Sequence, residues 1–286
     1  MPLFDALTLT MGTAGTGGFT VRASGFDDYT MIQQATIGIF MVAFGINFAF
    51  YFYVIRRKFN QAFHMEEVIA YLAVILTVVT MIVCSTYYMF PSLFESVHHV
   101  FFTVASIITT TGYATVDFNN WTTFAKTLLV LLMFIGACAG STGGGIKVSR
   151  ILVMAKGIKK EIKMLIHPGL VERVQMDGKP IAHETVRSIN VFLSLYVFTF
   201  IIILLVITLD GKDMITNFSA VAATINNIGP GLGEVGPMST FASFSNVAKI
   251  ALSFAMLAGR LELLPIILLF IPKMWKGTQN IRWLGV

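Results

Sequence analysis

The chain has 286 residues, of which 56% are hydrophobic and 12% charged, and it carries a net charge of +5; a soluble domain carries about 25% charged residues. A soluble enzyme is excluded. The mean hydropathy is +0.77, and several apolar stretches approach the ~20 residues that a helix needs to cross about 30 Å of hydrocarbon, so the chain is a polytopic, all-α membrane protein without enzymatic chemistry. Basic residues beside apolar spans mark the cytoplasmic side of a bilayer, and the positive charge therefore does not point to nucleic acid.

The N-terminus, Met1-Pro2-Leu3-Phe4-Asp5, lacks the basic region and apolar core of a signal peptide. The first span covers 34–55 and is closed by Arg56-Arg57-Lys58; the second covers 67–89 after Glu66-Glu67. A shorter apolar segment at 92–109 leads to a Thr/Gly/Asn turn at 109–120 and a long apolar stretch at 121–154, broken at Gly136–Lys147. A polar, basic section at 156–188 follows, then a span at 189–209, a short apolar segment at 214–225, a turn at Asn226–Gly236 and a last span at 244–271. The layout of span, half-span, loop and span has then appeared twice.

Charge sidedness agrees with this topology. The proposed cytoplasmic parts hold 15 Lys/Arg against six acids, and the external parts hold four bases against eight acids, a positive-inside arrangement with an outer mouth that concentrates cations. Cys84 and Cys138 each fall in an apolar segment, cannot build a disulfide framework or a metal cluster, and read as packing residues. His98-His99 has no other ligand nearby and reads as packing rather than metal binding.

An internal repeat decides the architecture. Setting Gly112 and Gly229 in register aligns Phe101-Phe102-Thr103-Val104-Ala105 with Phe218-Ser219-Ala220-Val221-Ala222. Gly18 in the same register puts Thr16-Gly17-Gly18-Phe19 opposite Thr110-Thr111-Gly112-Tyr113 and Asn227-Ile228-Gly229-Pro230. A short helix ending at membrane depth in an unwound loop exposes backbone carbonyls, which is tolerated only where they are buried in protein or line water. Carbonyl oxygens can replace the hydration shell of a monovalent cation, and glycine's freedom at positive φ turns successive carbonyls toward one axis. Ordinary extracellular loops are the alternative; three copies in register favour a ring.

The combination of Thr110-Thr111-Gly112-Tyr113-Ala114-Thr115, Asp117-Phe118-Asn119, Gly140-Ser141-Thr142-Gly143-Gly144-Gly145-Ile146-Lys147, Asn226–Gly233 and Gly259-Arg260-Leu261-Glu262 resembles the Trk/Ktr/HKT family of potassium transporters, in its TrkH-type subunit, over essentially the whole chain. The resemblance implies helix–pore loop–helix repeats around a central pore, four in all, with Gly18, Gly112 and Gly229 as filter glycines of the second, third and fourth. Bound potassium would meet Thr111, Gly112, Ile228 and Gly229. It also implies homodimers, a TrkA-type cytosolic nucleotide-binding partner, and a place in the bacterial cytoplasmic membrane, with potassium as the transported ion and no other cofactor.

The last three of the four repeats are present on this reading: 1–60, lacking its first helix, 61–155, and 189–286, with 156–188 as a cytoplasmic segment. An N-terminally truncated product, fragment or split subunit is the expectation.

Five glycines within 136–145 cannot sustain a helix, at about 1 kcal/mol each relative to alanine. The resemblance makes Gly140, Ser141, Thr142, Gly143, Gly144, Gly145 and Lys147 a movable gate under the filter; close packing of helices through small residues is the alternative. A phosphate-binding loop fails, because the lysine comes one place late and no hydroxyl follows it. Arg260 sits within the last span, where a charge is paired or faces water; the resemblance makes it a cation barrier near the gate, and an interhelical salt bridge is the alternative. Glu262 is the acid read within the spans. Potassium uptake through a channel-like pore is the leading expectation. A sodium- or proton-coupled secondary transporter and a non-functional fragment are the alternatives.

Overall fold

The computed structural model describes residues 1–22, 25–167 and 172–261. Helix α1 (Leu3–Ala14) ends in the first glycine loop. Helix α2 (Met31–Phe44) starts with a capping box in which the Thr30 N–H donates to the Gln33 side chain. The chain then turns by 91° through Gly45-Ile46-Asn47 into α3 (Phe48–Ile55). The span expected over 34–55 is thus broken. Two local features cause the break: a Cβ at Gly45 would overlap the Tyr71 hydroxyl, and the Asn47 side chain accepts from the Ala49 N–H at 2.9 Å, starting a new helix.

Short α4 (Phe59–Phe63) leads to α5 (Glu66–Thr86), which with the turn to Met89 is long and apolar enough to cross a membrane. Helix α6 (Leu93–Ile108) is capped by Ser92, and α7 (Thr123–Met133) by Thr122. The break in the next span runs from Phe134 to Lys147, before α8 (Val148–Ile166). Strands β1 (Gln175–Met176) and β2 (Lys179–Pro180) pair antiparallel, and α9 (His183–Thr208) forms the second full-length span. The section 156–188 holds the end of α8, the β1–β2 hairpin and the start of α9; lysine is a good helix former, and Lys159, Lys160 and Lys163 continue α8 without interrupting it. Helix α10 (Met214–Ile225) begins at Asp213, whose carboxylate accepts from the Thr216 N–H at 3.1 Å. Helix α11 (Asn246–Leu261) starts the last expected span; the rest of that span, with Glu262, lies outside the described residues.

Two apolar clusters hold these elements. The larger joins α5, α6 and α7 to α9, α10 and α11 through Tyr71, Ile107, Leu129, Phe200, Val221 and Leu252. The smaller packs Leu9 of α1 and Met41 of α2 against Phe26, Phe102 and Tyr113. Helices α6 and α10 are sheathed, with nine of the twelve residues of α10 buried, whereas α1 buries only Asp5, Leu9 and Thr13. Leu76 on α5 and Phe198, Ile202 and Leu205 on α9 face outward, as helix surfaces against lipid do. The reading of both cysteines as packing residues within helices changes: Cys84 is exposed on α5, and Cys138 is buried in the 134–147 break.

Candidate functional site

Helices α1, α6 and α10 each end in the same backbone figure. Thr16, Thr110 and Asn227 take positive φ of 51°, 57° and 57°, and two residues later Gly18, Gly112 and Gly229 take 75°, 85° and 106°. The hydrogen bonds repeat as well. The N–H of Gly17 donates to Gly12 O at 2.7 Å, that of Thr111 to Ser106 O at 2.9 Å and that of Ile228 to Ala223 O at 2.8 Å. This is a helix C-cap with a left-handed residue in the place usually taken by glycine. The amides turn back to the helix; among the described residues the carbonyls of Thr111, Gly112, Ile228 and Gly229 accept no hydrogen bond.

The loops interlock. A Cβ at Gly18 would overlap the Thr111 carbonyl oxygen, and a Cβ at Gly112 would overlap that of Ile228. Each glycine is therefore the seat for a carbonyl of the following loop. Around Gly229 nothing among the described residues lies within 4 Å of the corresponding position. Three helix C-termini converge here, and each carries a partial negative charge of about half an electron, which favours a cation. Phe19 is strongly exposed, whereas Tyr113 is buried and Pro230 half-buried, so the residues after the glycines differ in setting while the glycine backbone repeats.

The 134–147 break lies against these loops. Its ends are pinched together by Gly136 N–H to Ile146 O at 2.7 Å and Val148 N–H to Ala137 O at 3.2 Å. Thr110 Oγ1 accepts from the Gly144 N–H at 2.6 Å, and Thr16 Oγ1 donates to Thr142 O at 3.1 Å. A Cβ on Gly144 would come within 3.0 Å of Asn226 O, so the segment touches all three loops. Gly140 and Gly145 take positive φ, the Ser141 hydroxyl donates to Cys138 O, and Lys147 Nζ donates to Gly143 O. The break also meets the bend in α2–α3: the Phe48 N–H donates to Gly140 O and the Cys138 N–H to Gly45 O, at 3.1 and 3.0 Å. Two interrupted spans thereby satisfy each other's backbone, the condition for irregular chain at membrane depth.

Arg260 is placed beside this segment. Its guanidinium donates to Thr142 O at 3.2 Å and to Gly15 O at 3.5 Å, and its partners among the described residues are carbonyls rather than an acid. The His98 ring meets Gln34 Oε1 at 2.8 Å, and His99 meets Thr115 Oγ1 at 3.0 Å and stacks on Phe90; the described residues hold no group of His, Cys, Asp and Glu suited to a metal. At the outer mouth, hydrogen bonds from Thr216 hold Asp213 below the usual carboxylate range, and those from Ser245 do the same for Asp210. Both acids keep their charge there.

A family model described as a cation transport protein, TrkH, matches residues 62–278. The chain belongs to the TrkH family. It is 35% identical to the Trk system potassium uptake protein TrkH of Salmonella typhimurium, over 96% of this chain and 58% of that protein. It is 34% identical to the Trk system potassium uptake protein TrkG of Escherichia coli, over 97% of this chain and 57% of that protein. Among solved structures, the potassium transporter TrkH from Vibrio parahaemolyticus superposes with a TM-score of 0.86 at 29% identity, covering 96% of this chain and 60% of that one. The chain thus spans a little under three fifths of the length of the relatives it matches. Membership of the TrkH family places it among helical membrane proteins, and the described residues hold helices long and apolar enough to cross a membrane.

Two residues of this TrkH-family chain escape sequence reasoning. Glu67, counted above as a cytoplasmic acid, is only 4% exposed and accepts hydrogen bonds from Ala139 in the break and from Ser149 at the start of α8. Tyr196 of α9 is buried and bonded to Asn226 at the end of α10, the amide nitrogen lying 2.9 Å from the hydroxyl. The spacing of the two in sequence carries no signal, since they sit on different helices. Tyr196→Phe leaves the Asn226 amide short of a buried partner, which costs about 1–3 kcal/mol; a lowered thermal midpoint in detergent, with the amount of folded protein at 4 °C unchanged, is the expected result.

Proposed function

We propose that the chain forms three sides of a potassium-selective pore of a bacterial cytoplasmic-membrane uptake system. The observation that carries this reading is the triple repetition of one backbone figure, with Gly18 and Gly112 each seating the carbonyl before the next glycine. Potassium would shed water against the carbonyls of Thr111, Gly112, Ile228 and Gly229, with Thr16, Gly17, Gly18 and Phe19 as the third wall. The open side of Gly229 is where a further loop completes the ring. Division of the chain into 1–60, 61–155 and 189–286 as successive repeats follows from the same register.

The segment 140–147 is proposed as the gate. Its contacts run to Thr16, Thr110 and Asn226, directly beneath the ring, and its glycines lower the cost of changing shape. Arg260 adds positive charge at the same level. A cytosolic nucleotide-binding partner of TrkA type and a second copy of the chain are the proposed associates, and the regulator would reach a cleft of about 1160 Å³ between α8, the residues flanking the β1–β2 hairpin and α9, whose walls include Lys160, Arg173 and Arg187.

The test is growth at limiting potassium in cells lacking uptake systems. Growth is expected when the chain is joined to the N-terminal portion of a TrkH relative and cells also hold the cognate regulator. Failure of the joined protein, at membrane levels equal to the relative's own, would overturn potassium conduction.

A further inference from the structure

Glu67 begins α5 as its second residue, yet its carboxylate is buried and committed. Oε1 accepts from the Ala139 N–H at 2.6 Å and from the Ser149 N–H at 3.1 Å. Oε2 accepts from Asn47 Nδ2 at 3.3 Å. Ser149 is the second residue of α8, so its N–H has no partner within its own helix, and a carboxylate at that end is favoured by the helix dipole. One oxygen thus ties the intramembrane segment at Ala139 to the start of α8, and the other ties the bend between α2 and α3.

The preceding residue faces the β1–β2 hairpin and α8. The Glu66 N–H donates to Asp177 Oδ1, in the turn of the β1–β2 hairpin, at 2.8 Å. The Glu66 carboxylate pairs with Lys156 of α8, and Lys156 Nζ also donates to Gln175 O at 2.8 Å. We propose that Glu67 is the positioning residue of the intramembrane segment, and that the start of α5 is the junction through which displacement of the cytoplasmic hairpin reaches it. The functional weight of the junction rests on the reading of 140–147 as the gate.

Cys138 reports on this directly, because it is buried and adjoins Ala139. In a Cys84→Ala background, the rate at which N-ethylmaleimide labels Cys138 in native membranes measures how firmly the segment is held. Loss of charge-assisted hydrogen bonds in Glu67→Ala raises that rate about tenfold. Glu67→Gln removes the same charge beside the Cys138 thiol but retains the oxygen that serves both backbone donors, so its rate stays well below that of Glu67→Ala, and the difference between the two measures the positioning. Asp177→Ala, at an exposed turn, raises the rate about threefold through loss of the cap on α5. Ile75→Ala on the same helix, which loosens the core without touching the segment, leaves it unchanged.

An unaltered rate in Glu67→Ala, or an equal rise in Ile75→Ala, overturns the positioning role; an unaltered rate in Asp177→Ala overturns the link to the hairpin. Should Glu67→Ala fail to accumulate, hydrogen exchange in the unsubstituted chain decides. The Ala139 and Ser149 amides are then expected to exchange about tenfold more slowly than those of Thr142 and Gly143, and equal exchange overturns the proposal. Rubidium uptake by the same variants, joined to the N-terminal portion of a relative, separates the two readings. Faster labelling with unchanged uptake keeps Glu67 as the positioning residue and removes the gate.

Discussion

Gly112→Ser lowers the ratio of rubidium to sodium uptake by about tenfold, equivalent to about 1.4 kcal/mol between the two ions, in a protein that joins this chain to the N-terminal portion of a relative. The reasons are steric and conformational. At φ of 85° the glycine occupies backbone space that costs an L-residue roughly 1–2 kcal/mol, and its missing Cβ leaves the place taken by the Ile228 carbonyl oxygen. The serine side chain forces that carbonyl away. Selectivity depends on how many carbonyls approach the ion and at what spacing, so the ion with the better-matched ring loses more. Gly229→Ser tests the explanation, since its Cβ meets nothing within 4 Å among the described residues. In the joined protein that seat takes the further loop, so an equal fall is expected if each glycine seats a carbonyl. An unchanged uptake ratio in Gly112→Ser would count against the filter assignment.

Much of this arrangement was legible in the amino-acid sequence, because its periodic parts obey local rules. The apolar segment 214–225 coincides with α10, and the register set by Gly112 and Gly229 carries through to the left-handed positions two residues before each glycine. Gly18 could be placed only by position, yet its backbone repeats the figure of the other two. What escaped was decided across the chain rather than along it. The 91° bend at 45–47 lies within a stretch whose composition stays apolar and proline-free; the glycine followed by a capping asparagine was the available signal. Glu67 follows a basic turn and reads as an interfacial acid. Its burial depends on two donors more than seventy residues away. The charge run at 156–163 lies on α8, where charge tells which face is wet and not whether the helix stops.

Arg260→Ala increases potassium flux several-fold at unchanged protein level, the opposite of what loss of a structural ion pair would do. Breaking a buried ion pair strands a charge and costs about 3–5 kcal/mol. Here the guanidinium instead donates to the carbonyl oxygens of Thr142 and Gly15, neutral groups whose loss of a partner costs far less where the side chain is exposed. Removing it takes a positive charge from the path beneath the ring and frees the intramembrane segment from the end of α1. Both changes lower the barrier for a cation. Arg260→Lys separates them, because lysine keeps the charge as a compact point but lacks the planar fork that reaches two carbonyls at once. Flux in Arg260→Lys near that of the parent assigns the barrier to charge; flux near that of Arg260→Ala assigns it to the double hydrogen bond holding the segment to α1. Loss of folded protein in both variants would return Arg260 to a structural role.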